Sequence, residues 1–185
     1  MDKVVNCYIF GRIKIDFMIF LPKENIIYKT KLEPIEIIYR LNNVIEPYKS
    51  FRLKGILSEK EFKEYEGEII NNTYNVKRII SYRNSFLPRI EGEIIKDLSG
   101  TKINVKMKLH SLVLFFMIIW MSLTLIFFLF LLKEMIKAEK FSFEIFPALL
   151  MLIFGYGMTL GGFKYESIKS KKYFEKLFEA EIIKE

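Results

Sequence analysis

The chain is poor in the residue types that most enzymes use for nucleophilic or metal-assisted chemistry. Its 185 residues include one cysteine, Cys7, one histidine, His110, and only three aspartates. A lone cysteine forms no internal disulfide, so the sequence carries no sign of an oxidising compartment. A zinc site needs about four ligands, mostly nitrogen or sulfur, and this chain lacks such a set. We therefore expect no catalytic residues, no metal and no cofactor.

Two catalytic arrangements remain to be weighed, and both are weakly supported. A thiol nucleophile would need Cys7 beside His110, whereas His110 is expected at a membrane boundary. The other option is an acidic cluster of five glutamates, Glu59, Glu61, Glu64, Glu66 and Glu68. Because lysines lie among these glutamates, a solvated face explains them better than an acid–base or cation site.

The apolar residues are concentrated in two blocks rather than spread along the chain. Residues 111–132 carry no charge, and sixteen of these 22 residues are Leu, Ile, Val or Phe. As a helix they would extend about 33 Å, enough to cross a hydrocarbon core of about 30 Å. Residues 145–163 form a weaker block that contains Pro147 and four glycines. We predict a transmembrane helical hairpin over residues 109–163, with these two blocks as its spans.

Two glycines of the second block form a small-xxx-small pair, Gly157 and Gly161. Such a pair lets two helix backbones approach closely and therefore predicts helix packing. The simpler interpretation is contact with the first span of the same chain. The alternative is a homodimer or a contact with another membrane protein.

The distribution of basic residues predicts the orientation of the hairpin. Five basic residues lie shortly before the first span and five after the second, against three in the connecting loop. The positive-inside rule then places both termini in the cytoplasm, at the inner cell membrane. We expect lysines near the spans to meet anionic lipid headgroups; the six candidates are Lys102, Lys106, Lys108, Lys164, Lys171 and Lys172. Nucleic acid is not expected, because the basic residues form no separate patch.

Residues 1–108 predict a small cytoplasmic α+β domain built on an antiparallel β-meander. Apolar residues alternate with three lysines and one asparagine over 101–109, which predicts a strand with one buried and one basic face. This strand leads directly into the first span. Similar patterns over 74–82 and 89–96 predict two more strands.

One or two helices are expected before the meander. Pro34 precedes an apolar stripe at helical spacing, which predicts a helix that ends at Pro47. Ser58 and Glu61 resemble a capping box, which predicts a short helix as far as about Tyr65.

Residues 164–185 predict a separate amphipathic helix in the cytoplasm. Phe174, Leu177, Phe178 and Ile182 would share its apolar face. This helix could dock on the sheet, lie among lipid headgroups or bind a partner.

The most distinctive loop is 82–88, which combines aromatic, basic and amide side chains. Its candidate recognition residues are Tyr82, Arg83, Asn84, Phe86 and Pro88. Loops of this composition recognise ligands or partners, and they also serve as ordinary connections.

These patterns together favour an integral membrane protein with two spans. In the leading hypothesis its cytoplasmic domain is a non-enzymatic binding or scaffold module at the inner membrane surface. The alternative is a small accessory subunit of a larger membrane complex, such as a transporter or an envelope assembly. An enzyme is the least favoured hypothesis.

Overall fold

The fold is that of a computed structural model, which describes residues 22–48 and 63–184. In these residues seven strands form one sheet and three helices accompany it, two of them long and apolar. The predicted α+β class is confirmed. Cys7, Glu59 and the proposed capping box at Ser58 and Glu61 lie outside the described residues.

The elements follow one another in a simple order. They are β1 (Lys23–Thr30), α1 (Pro34–Val44), β2 (Ile45–Glu46), β3 (Tyr65–Ile70), β4 (Thr73–Arg78), β5 (Arg89–Asp97), β6 (Gly100–Lys108), α2 (Ser111–Ala138), α3 (Ile145–Leu177) and β7 (Glu181–Lys184). The order across the sheet is β2-β3-β4-β5-β6-β1-β7. All neighbouring strands are antiparallel except β2 and β3, which are parallel.

The tight turns of the meander depend on residues that tolerate a positive φ. Asn71, in the turn between β3 and β4, has a φ of 52°, and Gly100, at the start of β6, has a φ of 132°. A Cβ atom at Gly100 would lie only 2.2 Å from the Thr30 carbonyl oxygen. Glycine is therefore required there both for its backbone conformation and for the close approach of β1.

One face of the sheet is buried against α1 and the second half of α3. The alternating residues of β6, Ile103, Val105 and Met107, are buried as the sequence predicts. Phe174 of α3 and Phe178, which follows the last residue of that helix, have no exposed surface and stack on each other with ring centroids 5.4 Å apart. The core therefore lies between this face of the sheet and two helices, and no described helix packs on the other face.

Three predicted boundaries differ from the structure. Tyr65 begins strand β3 instead of ending a helix, because it pairs with Ile45 on one side and Arg78 on the other. Helix α1 ends at Val44 rather than at Pro47, because the chain enters β2 at once. Strand β4 ends at Arg78, so the predicted strand does not continue to Tyr82.

The segment after the second apolar block is not a separate helix. Helix α3 continues from Ile145 to Leu177 without a break, since no proline interrupts its second half. Glu179 then takes a left-handed conformation, with a φ of 47°, and the chain turns into β7. Ile182, predicted on a helix face, lies in this strand opposite Tyr28 of β1.

The two long helices contact each other through small and flexible residues. On α3, Ala148 and Thr159 are buried, and a Cβ atom at Gly155 would lie 3.3 Å from the Met121 sulfur of α2. The hydroxyls of Thr124 and Thr159 each donate a hydrogen bond of 2.8 Å to the carbonyl four residues earlier. Both hydroxyls are thus satisfied within their own helices.

The rest of the surface of these helices is apolar and exposed. Their most apolar stretches have mean hydropathies of 2.7 and 1.7, and only 6% and 11% of the residues in those stretches are buried. The described part of the chain therefore contains two helices that are long and apolar enough to cross a membrane.

Candidate functional site at the helix-proximal end of the sheet

Both long helices meet the sheet at the same end. Helix α2 begins at Ser111, three residues after β6 ends at Lys108. In register, Lys108 lies between Lys23, which starts β1, and Arg89, which starts β5. Helix α3 reaches the same end, since its Lys164 contacts Glu24 next to Lys23. We call this edge, marked by Lys23, Arg89 and Lys108, the helix-proximal end.

Glu24 is the centre of a buried polar cluster that ties α3 to β1. Only 8% of its surface is exposed. Lys164 Nζ lies 2.5 Å from Oε1, the Ser167 hydroxyl donates to Oε2 at 2.5 Å, and Lys171 Nζ lies 3.1 Å from Oε2. Burial acts to raise the pKa of Glu24, but the hydrogen bonds from Lys164 and Ser167 and the charge of Lys171 outweigh it and lower the pKa. Glu24 is therefore ionised at neutral pH.

A second buried carboxylate, Glu166, ties α3 to the opposite part of the sheet. Its side chain has no exposed surface. Arg78 Nη1, at the end of β4, lies 3.0 Å from Oε2, and the Tyr82 hydroxyl donates a hydrogen bond to Oε1. The two carboxylates thus fasten one stretch of α3, residues 164–171, to β1 and to β4.

Three buried hydroxyls lie farther along the same interface. Those of Tyr65, Tyr74 and Ser170 are enclosed, and the Ser170 hydroxyl lies close enough to Tyr65 to act on its pKa. Burial raises the pKa of Tyr65 and of Tyr74 far above the ordinary value for a phenol. Both phenols therefore stay protonated, and neither serves as a base at physiological pH.

The loop 82–88 lies on α3 rather than free in solvent. The Asn84 side chain donates to the Gly162 carbonyl at 3.2 Å and accepts from the Phe86 amide at 2.9 Å. A Cβ atom at Gly162 would lie 3.0 Å from the Phe86 ring, and Pro88 is buried.

Of the five candidate recognition residues, four are thus engaged or buried within the fold. Tyr82 bonds Glu166, Asn84 and Phe86 contact Gly162, and Pro88 is enclosed. Arg83 is exposed. These contacts favour a connecting role for the other four, and recognition through the loop stays a prediction.

The six lysines predicted at lipid headgroups occupy different environments. Lys164 and Lys171 lie against Glu24. Lys102 lies at the opposite end of β6, where its ammonium group is 2.8 Å from Asp97 and lowers the pKa of that carboxyl group. Lys106, Lys108 and Lys172 are exposed. Of the exposed three, Lys108 is the one at the helix-proximal end.

Gly157 and Gly161 do not pack against α2. A Cβ atom at either position would meet nothing within 4 Å. Residues two and six positions beyond Gly155 are turned by about 200° and 240° around the helix, so they face away from it. The contact with α2 is made instead by Ala148, Gly155 and Thr159. Their spacing of seven and four residues is typical of a helix-packing face and could have predicted this contact from the sequence.

The residue types that bind metal ions lie apart from one another in the part of the chain that the structure describes. No three residues of the types His, Cys, Asp and Glu come together in the described ranges. His110 caps α2, where its Nδ1 accepts a hydrogen bond of 3.2 Å from the Leu112 amide. In the acidic cluster, Glu66 lies 2.7 Å from Lys77.

The face of the sheet on which no described helix packs, called the uncovered face below, carries a shallow concavity of about 330 Å³. Its walls combine apolar surface from Ile70 and Tyr74 with amide and charged side chains; the latter are Glu68, Asn75, Glu91, Glu93, Asn104 and Lys106. Such a surface suits contact with a partner better than enclosure of a small molecule.

Comparisons of the chain with protein-family models, with characterised proteins and with solved structures found no match.

Proposed function

We propose that the chain is a membrane-anchored, non-enzymatic binding module. Helices α2 and α3 cross the cell membrane, and the α+β domain is held at its cytoplasmic surface to bind a protein or lipid. One observation carries this proposal. Helix α3 is apolar over residues 145–163 and continues unbroken into the core, where Phe174 and Phe178 are buried. No flexible linker separates the apolar stretch from the domain.

The sheet topology supports a hairpin with both flanking segments on one side. Strand β7, after α3, pairs with β1, which precedes α2. Residues on either side of the two helices therefore belong to one folded unit, and one unit cannot lie on two sides of a bilayer. The excess of basic residues near the domain supports the cytoplasmic side.

A rigid attachment would leave one face of the sheet free for a partner. The buried contacts of Glu24 and Glu166 hold α3 on one face. The opposite face presents exposed polar residues such as Glu68, Glu93 and Lys106. This arrangement supports a scaffold role, because a partner could reach the sheet while the domain stays fixed to its anchor.

The topology can be tested with single cysteines in a Cys7→Ser background. We expect the full chain to stay in the membrane pellet after carbonate extraction. In intact cells an impermeant maleimide should label Lys140→Cys, between the helices. Leu98→Cys and Lys172→Cys should react only after permeabilisation. Recovery in the supernatant, or equal labelling of all three positions in intact cells, would contradict the proposal.

The binding role can be tested by photo-crosslinking from single positions in the full chain. A photoreactive residue at Glu93, on the uncovered face, should give a discrete adduct with a protein or a lipid. The same residue at Glu175, exposed on the back of α3, is the matched control and should not. Identical adducts from both positions, or none from Glu93, would count against a binding face on the sheet.

A second candidate function is an accessory subunit of a larger membrane assembly. The observation that favours it is the open space around Gly157 and Gly161, on the side of α3 that faces away from α2. Two small residues four positions apart lie on the same side of a membrane helix and permit close contact with a partner helix.

Replacing Gly157 and Gly161 together by leucine should dissociate such an assembly, because two large side chains keep the backbones apart. We expect the apparent dissociation constant to rise about tenfold or more, as each 1.4 kcal/mol lost is one factor of ten. Energy transfer between labelled chains in vesicles measures it. Met151→Leu with Met158→Leu, on another exposed side of α3, is the control. Equal energy transfer in both double variants refutes an assembly that joins copies of the chain through this face.

A further inference from the structure

A row of four basic residues crosses the uncovered face at the helix-proximal end. Register partners place Lys77 of β4 beside Arg89 of β5, Arg89 beside Lys108 of β6, and Lys108 beside Lys23 of β1. Register partners on neighbouring strands point to the same face of a sheet. At about 4.8 Å per strand, this basic row is about 14 Å long.

The basic row is only partly neutralised within the chain. Lys77 lies 2.7 Å from Glu66, and Lys108 lies 2.7 Å from Glu91. Lys23 and Arg89 are exposed and form no ion pair in the described part of the structure. Like charges placed directly opposite on adjacent strands destabilise a sheet. An anion bound from outside would therefore reduce the repulsion among Lys23, Lys108 and Arg89.

The basic row differs from the lysines at the other end of the sheet in its closeness to α2. Toward the other end, Lys102 is 2.8 Å from Asp97 and Lys96 is 2.8 Å from Glu33. Lys108 is separated from the first residue of α2 by only three positions, which is at most about 10 Å of chain. If α2 spans the membrane, the basic row lies at the level of the lipid headgroups.

We propose that the basic row binds the phosphate groups of anionic phospholipids in the membrane that holds the chain. The inference rests on the proposed function, because both helices must span for the row to reach that depth. Arginine grips phosphate through two parallel N–H groups, and lysine adds a point charge on a flexible stem. Each basic residue near an anionic surface contributes roughly a fivefold gain in affinity.

The test compares two variants of the full chain that lose the same number of charges. The first replaces Lys23, Lys77, Arg89 and Lys108 by glutamine. The control replaces Lys29, Lys31, Lys96 and Lys102, which lie toward the opposite end of the sheet. Each protein in neutral detergent is titrated with phosphatidylglycerol or phosphatidylcholine. Native mass spectrometry counts bound lipids, and the thermal unfolding midpoint reports stabilisation.

We expect the control variant to keep the affinity of the natural chain for phosphatidylglycerol, and the affinity of the first variant to fall about six-hundredfold. Added salt should weaken binding, and phosphatidylcholine should bind all three proteins equally poorly. A milder variant, Lys23→Gln with Arg89→Gln, removes no ion pair and guards against misfolding. Its affinity for phosphatidylglycerol should fall about twenty-fivefold.

Three outcomes would overturn the inference. One is equal affinity for phosphatidylglycerol in the first variant and the control. The second is no loss in the Lys23→Gln, Arg89→Gln variant. The third is tighter binding of inorganic phosphate or an oligonucleotide, which would assign the row to a soluble anion. Failure of the proposed function would appear separately, in the cysteine labelling of Lys140→Cys and Leu98→Cys.

Discussion

Replacing Glu24 by alanine should lower the free energy of unfolding of the α+β domain by about 3–5 kcal/mol. The change removes the carboxylate that Lys164 and Lys171 share, and Lys171 is largely buried. It also removes the acceptor for the Ser167 hydroxyl. Denaturant unfolding of the full chain in detergent, followed by circular dichroism, measures the loss.

An exposed ion pair provides the control for this substitution. Lys96 lies 2.8 Å from Glu33, and both side chains are more than half exposed. Glu33→Ala should therefore change stability by less than about 1 kcal/mol. Similar losses in Glu24→Ala and Glu33→Ala would show that the cluster around Glu24 does not hold α3 in place.

The lowered pKa of Glu24 predicts how this contribution depends on pH. A carboxylate with a depressed pKa in the folded state stabilises the fold above its unfolded pKa, near 4.5. That stabilisation is lost as the pH falls through the folded pKa. Stability should thus decline below about pH 5, and Glu24→Gln should decline less steeply over the same range. Parallel curves for both proteins would assign the decline to other carboxyl groups.

Phe174→Ala is expected to lower the free energy of unfolding by about 3–5 kcal/mol, because it opens a large cavity in the core. The Phe174 ring is fully buried, with its centroid 5.1 Å from that of Tyr65 and 6.1 Å from that of Tyr74. Phe174→Leu keeps most of the side-chain volume, so it should lower the free energy of unfolding by about half as much or less.

An exposed aromatic residue supplies the comparison for Phe174. Tyr39 on α1 is 62% exposed, so Tyr39→Ala should change the denaturation midpoint very little. If Phe174→Ala were no more destabilising than Tyr39→Ala, the second half of α3 would not be part of the core. The unity of the domain on both sides of the long helices would then be lost.

Segments with a regular period were the ones that sequence could predict. Ile103, Val105 and Met107 recur at every second position, and this pattern indicates both the strand and its buried face. The two apolar helices follow from composition alone. Pairing across the chain was not predictable: Tyr65 joins a strand only because Ile45 and Arg78 flank it in the sheet.

The buried carboxylates are the main feature that sequence reasoning missed. Charged residues are usually solvated, so Glu24 and Glu166 were not singled out. A signal existed for Glu166, which lies seven residues after Thr159 on the same face of α3. A charge at such a buried position indicates an ion pair. Its partner, Arg78, is 88 positions away, and nothing local could have identified it.

The face of α3 that contacts α2 is the same face that later contacts the sheet. Its inward residues recur every three or four positions, from Ala148 and Thr159 to Glu166 and Phe174. The helix is thus a single rod about 50 Å long. Suppose that a change in bilayer thickness tilts the helix by about 10°. The part from Phe163 to Leu177 is about 21 Å long, so its Leu177 end would move sideways by about 4 Å relative to Phe163. The domain must then either tilt together with α3 or lose the contacts that Glu24 and Glu166 make between α3 and the sheet.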